Sequence, residues 1–248
     1  MSVATPEFAG VVPHGSVTPG LRVEIDDPLG GARLVVATPD GDARLWRDYL
    51  DGAHASYAAH GVAAALDRDA VADGHDTAVF FAVLDEAGVC RGGLRAQGPY
   101  LRADESHAVV EWAGSDGLDA VVRAIETRLP EGVIEVKAAW VDPTAPDPRA
   151  TAGVLSRLAL PLFAVTGAGY IMATSAEHSL RRWESGGGRI DETVCATAYP
   201  DERYSTRLMW WDARTMEVDA DPRMLSVMRD QVRLMRMRSG DVAARMAA

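Results

Sequence analysis

Glu135 and Lys137 stand two residues apart in the stretch Val133-Ile134-Glu135-Val136-Lys137-Ala138-Ala139-Trp140-Val141, whose other residues have the composition of a buried strand. Successive side chains of a strand point to opposite faces, so this spacing sets Glu135 and Lys137 on one face with Val133 and Ala139. It leaves Ile134, Val136, Ala138 and Trp140 on a wholly apolar face. A buried charge without a partner is costly, so the two must meet each other, another side chain, water or a ligand. The same alternation puts Arg91 and Arg95 on one face of the run 89–96. If that face is the one bearing Glu135, Arg95 and Glu135 form a charged cluster inside a cleft. Two readings stay open: a transfer site, and an internal ion pair that holds strands together.

After this strand, Asp142-Pro143-Thr144-Ala145-Pro146-Asp147-Pro148-Arg149-Ala150-Thr151-Ala152-Gly153 reads as a loop feeding a helix. The first N–H groups of a helix lack intrahelical partners and its dipole favours an anion there. Arg149 adds a charge, and Thr151, Ala152 and Gly153 belong to the first turn; the alternative is that Thr151 simply caps the helix. Leu155, Leu158 and Leu162 suit either an apolar tunnel or ordinary core. The six histidines show no paired ligand spacing, no metal site is expected, and His178 reads as a surface residue. Ser185-Gly186-Gly187-Gly188 follows a short helix instead of opening one after a strand, which makes it a turn and not a phosphate cradle. Cys90 and Cys195 are too few for a disulfide framework.

The elements that must position these residues follow from periodicity. Alternation predicts a hairpin from strands at 21–25 and 33–37, a second from 79–84 and 89–96, and strands at 107–112, 133–141, 170–174, 190–197 and 204–211. Repeats at three and four residues predict helices from Asp42 to near Gly61, over 117–129, over 151–166 with a kink at Pro161, a short one at 179–183, and over 222–237. The last carries Met224, Met228, Val232 and Met235 on one face, suited to packing on the domain or on a dimer partner. The sum is an α/β fold, a mixed central sheet flanked by helices. Strands 133–141 and 170–174 are expected as parallel neighbours that splay at their carboxyl ends, where open α/β sheets bind ligands.

Composition bounds the function. A chain of 248 residues, 48% hydrophobic, can bury a sizeable core. Its 36 acidic against 25 basic side chains give a formal charge of −11, which argues against broad capture of nucleic acid. The amino terminus has no basic region followed by an apolar run, and no segment reaches about eighteen uninterrupted apolar residues, so a soluble cytoplasmic protein without a membrane span is expected.

The hairpin FFAVLDEAGVCRGGLRAQGP, the strand VIEVKAAWVDP, the following helix, the strand YIMATS and the short helix before SGGGR resemble, in their order, the GNAT acyltransferase superfamily. Within it the pattern is nearest to autoinducer synthases and long-chain N-acyl amino acid synthases, which Gly92-Gly93-Leu94-Arg95-Ala96, Glu135-Val136-Lys137 and the run 198–211 echo. The likeness covers 42–212. In Arg149-Ala150-Thr151-Ala152-Gly153-Val154 the glycine of the superfamily's pyrophosphate loop falls one place late. The resemblance implies a GNAT-like domain over 21–212 with an N-terminal hairpin, after a flexible segment over 1–20 and before a helical extension over 213–248. It implies an N-acyltransferase that aminolyses a thioester. Glu135 is then the general base, directly or through water, with Lys137 beside it and Arg95 holding an acceptor carboxylate or the base. A backbone N–H near Ala138 to Val141 takes the thioester oxygen. The donor, an acyl-CoA or acyl-carrier-protein thioester, meets Arg149, Thr151, Ala152, Gly153 and Val141, and the acceptor is a small-molecule amine. An acyl carrier protein partner also needs basic residues at the cleft mouth, for which Arg157, Arg181, Arg182 and Arg189 are the candidates; a homodimer is a further expected assembly. The alternative is a non-catalytic relative that binds an acyl thioester or metabolite as a sensor or scaffold.

Overall fold

A computed structural model describes residues 17–246. The flexible segment expected over 1–20 falls almost wholly outside them. In chain order the elements are β1 (Arg22–Asp26), β2 (Arg33–Ala37), α1 (Ala43–Ala59), β3 (Thr77–Leu84), β4 (Cys90–Gln97), α2 (His107–Glu111), α3 (Leu118–Glu126) and β5 (Val133–Val141). They continue with α4 (Pro148–Leu155), α5 (Ala159–Thr166), β6 (Tyr170–Ala176), α6 (Leu180–Ser185), β7 (Arg189–Ile190), β8 (Thr206–Asp212), α7 (Met216–Asp219) and α8 (Pro222–Met246).

One eight-stranded sheet runs β1-β2-β3-β4-β5-β6-β8-β7. Only β5 and β6 are parallel, because α4 and α5 supply the crossover between them; the other neighbours are antiparallel. Helices cover both faces. Ile134, Val136, Leu155, Leu158, Leu162, Ile171, Met209 and Trp211 form a core with α4, α5 and α8 on one side. On the other, Trp46, Tyr49 and Leu50 of α1 pack on Phe80 and Ala82, and Val121 and Ile125 of α3 pack with Trp112, Val133 and Met172.

Four expectations are corrected. The segment 107–112 is helical: Ser106 caps it by accepting from Ala108 N, and burial of Ala108, Glu111 and Trp112 on one side outweighs the strand preference of Val109 and Val110. The helix over 151–166 is two helices, broken at 156–158. Pro161 lies in the first turn of α5, where its missing N–H costs nothing, so it marks a start and no kink. Of 190–197 only Arg189 and Ile190 pair as a strand, with Thr197 making a single bridge to Thr206, because Asp191 turns the chain by accepting from Thr193 N and Thr193 Oγ1. The fourth concerns β5. Arg95 faces Lys137 and Gly93 faces Trp140, so Ala138 and Ala139 together oppose Leu94, a bulge at which Ala138 takes φ 48°. The extra residue reverses the alternation beyond it. Ala138 and Trp140 therefore join the α1 side and Ala139 and Val141 the opposite one, so Ile134, Val136, Ala138 and Trp140 do not share a face.

Candidate active site

Strands β5 and β6 pair only from Val133↔Tyr170 to Val136↔Ala173, although β5 runs on to Val141 and β6 to Ala176. Beyond Val136 the edge of β5 that faces β6 has no ladder partner, and the bulge at Ala138 falls there. Tyr49, fully buried, holds the bulge by donating from its hydroxyl to Ala138 O at 2.8 Å. Gly93 makes room for it, since a Cβ there would stand 2.7 Å from the Tyr49 ring. Tyr49→Phe removes that donor and leaves a buried carbonyl unpaired; the urea midpoint is expected to fall by the equivalent of about 1–3 kcal/mol with an unchanged slope.

Directly at the parting, on the α2 side, lies a polar cluster. Glu135 has no exposed atom. Its Oε2 accepts from Tyr100 Oη at 2.6 Å, Ser106 Oγ at 3.0 Å and His107 N at 3.1 Å, while Oε1 lies 3.3 Å from Lys137 Nζ. Three donors on one oxygen tie the amino terminus of α2 to the sheet. Lys137 Nζ also lies 2.8 Å from Glu111 Oε1 and 2.9 Å from His107 Nδ1, and His107 Nδ1 is 2.9 Å from Glu111 Oε1. Thr174 is the first residue of β6 past the last pair.

Electrostatics fix the charge states. Burial works against the Lys137 ammonium, but the Glu135 and Glu111 carboxylates outweigh it and raise its pKa above that of an ordinary lysine. Burial likewise pushes Glu111 up, and the Lys137 charge with hydrogen bonds from His107, Lys137 and Thr174 brings it below the usual range. Burial, the Glu135 charge and the bond to Glu135 all raise Tyr100, which stays a donor.

The structure brings Glu135 and Lys137 together. Arg95 stands opposite Lys137 in register, and Gln97 is the residue opposite Glu135. The Arg95 guanidinium turns to Asp76 at 2.8 Å and Thr77 Oγ1 at 2.9 Å, so the expected Arg95–Glu135 pair is not formed. Arg149, Thr151, Ala152 and Gly153 lie on α4, which packs over β4 and β5 from the other face; Thr151 crowds Gly92, the partner of Val141. Asp147, and not Thr151, caps α4 by accepting from Ala150 N at 2.9 Å, and Thr151 Oγ1 bonds back to Asp147 O. Arg149 is exposed. Arg157 is no surface residue: it is buried and grips both oxygens of Asp27 at 2.7 and 2.9 Å, while Arg181, Arg182 and Arg189 are exposed. Leu155, Leu158 and Leu162 are buried and line, with Ser156, Trp183 and Trp211, a small cavity of about 10 Å³, room for one water, so in this conformation they are core.

Tyr100, Ser106, His107 and Glu111 escaped the sequence reading. His107 and Glu111 stand at i and i+4, a pair that meets on a helix, but the segment reads as a strand until its cap is recognised. Among the described residues no helix is long and apolar enough to cross a membrane.

No protein-family model matches the chain. It is 50% identical over 197 residues to the uncharacterized protein Rv1356c of Mycobacterium tuberculosis and equally to a protein of Mycobacterium bovis, spanning 79% of this chain and 74% of each relative. Among solved structures, a CoA-dependent acyl-homoserine lactone synthase, BjaI, superposes with a TM-score of 0.50 at 12% identity over 86% of this chain and 90% of that one. An uncharacterized protein of Bacillus halodurans gives 0.51 at 12% identity over 87% and 100%.

Proposed function

The chain belongs to one family with these mycobacterial proteins and has the GNAT acyltransferase fold, and on that premise we propose that it is an N-acyltransferase. It moves an acyl group from a CoA or acyl-carrier thioester to an amine of a small molecule. The observation that carries this reading is the parting of β5 and β6 just past Val136 and Ala173, with the bulge at Ala138 on the open edge and a charged cluster beside it. A thioester laid along that edge meets the N–H groups between Ala138 and Val141, fixed donors where negative charge develops on its oxygen. Holding amine and thioester together in the gap supplies most of the acceleration. Glu135, Lys137 and Arg95 are positioning residues in this reading: they fix α2, the parting strands and the Asp76 side of the cleft. An acyl-enzyme on Cys90 is disfavoured, since burial pushes its thiol up to about 12.

The donor's phosphates are assigned to Arg149 at the amino terminus of α4; the helix starts at Pro148, so Thr151 to Gly153 lie past its first turn, and Thr151 N already bonds to Asp147 O. Asp147 holds a carboxylate at the same helix end. Arg149→Ala is expected to weaken the binding of a thioether analogue of acyl-CoA by about tenfold, the scale of a charged hydrogen bond, and Asp147→Ser to tighten it while keeping the cap. Isothermal titration checks both; an Arg149→Ala protein that binds like the parent misplaces the phosphate site.

The late glycine in 149–154 keeps a second reading open, a protein that binds an acyl thioester or metabolite as a sensor or scaffold without turnover. Thiol release from a panel of acyl-CoAs and acyl-carrier-bound thioesters, with and without amines, separates the two. Amine-dependent release supports the transferase; binding without release supports the sensor.

A further inference from the structure

Building on the transferase reading, we infer that His107 is the group that takes the proton from the attacking amine, oriented by Glu111, and that Glu135 acts behind it as a positioning residue. Glu135 is sealed: one oxygen carries three donors and the other faces Lys137, with no atom open to a ligand. Glu111 is almost as deep, its side chain 2% exposed. The His107 side chain is 35% exposed and is the cluster's outlet.

Its ring is held at one nitrogen only. Nδ1 lies 2.9 Å from Glu111 Oε1, and Nε2 has no hydrogen-bond partner among the described residues. Nδ1 also lies 2.9 Å from Lys137 Nζ, so the ring chooses between donating to Glu111 and accepting from Lys137. Only the first choice leaves a lone pair on Nε2. His107 takes the first choice, with Nδ1–H donating to Glu111 Oε1 and the Lys137 ammonium donating to that same carboxylate at 2.8 Å instead of to the ring. The groups facing the imidazole are Lys137 on β5, Glu111 on its own helix, Glu135 behind the backbone N–H of His107, and the Tyr199 ring edge-on at 5.9 Å. Two carboxyl groups and one ammonium thus surround the ring's inner edge. The backbone bond from His107 N to Glu135 fixes where the ring starts.

The step balances. The neutral amine nitrogen attacks the thioester carbon and a C–N bond forms. One N–H proton passes to His107 Nε2. The tetrahedral intermediate collapses, the C–S bond breaks, and the departing thiolate recovers the proton from His107, giving an amide and a free thiol.

The test uses the full chain with an acyl-CoA and amine pair that the parent turns over. His107→Gln is expected to lower kcat by roughly 10²- to 10⁴-fold, the range of general base catalysis, with unchanged affinity for a thioether analogue of acyl-CoA. His107→Ala should regain turnover when imidazole is added, a response that a purely structural role does not give. Glu111→Gln should lower kcat as well, through the wrong tautomer. If His107→Gln turns over like the parent, or if His107→Ala binds the analogue, melts like the parent and is not rescued, the assignment to His107 is wrong and the transferase reading stands. If the parent releases no thiol with any amine, the transferase reading fails and this assignment fails with it.

Discussion

Lys137→Met is expected to lose about 3–5 kcal/mol of folding stability at pH 7, the usual cost of removing one partner from a buried ion pair. The ammonium lies 2.8 Å from Glu111 and 3.3 Å from Glu135, and methionine fills its stem but not its charge. Two nearly inaccessible carboxylates, Glu135 on β5 and Glu111 on α2, are then left without their shared counter-charge. The dependence on pH reverses as a result. In the parent, Glu111 has a folded pKa below its unfolded one, so its contribution is present above the unfolded value and is lost as pH falls through the folded value. In Lys137→Met the carboxylates lack their counter-charge and at least one titrates above its unfolded value. That group destabilises at neutral pH, and the loss shrinks as acid protonates it. Urea unfolding at pH 7 and pH 5 measures this: the gap between variant and parent narrows at the lower pH. A gap that is small, or equal at both values, contradicts the charge assignment of the cluster.

Asp27→Ala is the second large effect, again about 3–5 kcal/mol. Asp27 and Arg157 are both buried, the guanidinium grips both carboxylate oxygens, and Gln231 of α8 lies 3.4 Å from the same carboxylate. Deleting Asp27 strands the Arg157 charge between β1, α4 and α8. The double variant Asp27→Ala with Arg157→Met is expected to recover much of the loss, because the uncompensated charge is then gone as well. Thermal or urea unfolding of the two variants and the parent decides it; a double variant no better than the single one places the cost elsewhere than in the stranded charge.

The hairpin β3–β4 is legible because the apolar run 79–84 and the run 89–96 flank the turn residues Asp85-Glu86-Ala87-Gly88, and β5 because 133–141 has the composition of a buried strand. What the chain hides is what depends on distant partners. The reversal at Ala138 leaves no mark in an Ala-Ala pair, since a bulge is a matter of register against β4. The helix α2 forms at a segment with adjacent β-branched residues because Glu135, 28 residues on, accepts its first N–H. Arg157 reads as a surface cation until Asp27, 130 residues earlier, folds against it. Glu135 and Lys137 were visible as a pair for the opposite reason: two charges in an apolar strand are improbable without partners. Their partners were not, because Tyr100, Ser106 and Glu111 lie in loops and a helix that only the fold brings near.

Hydrogen exchange of the backbone with and without a thioether analogue of acyl-CoA tests the central claim most directly, that the donor lies in the gap between β5 and β6. The expected result is new protection of the amides at 137–141 and 174–176, together with the start of α4 at 149–153, and little change elsewhere. Protection confined to the open surface hollow lined by Glu177, Arg181, Glu192 and Arg207, or none at 137–141 when the analogue is bound, would contradict it.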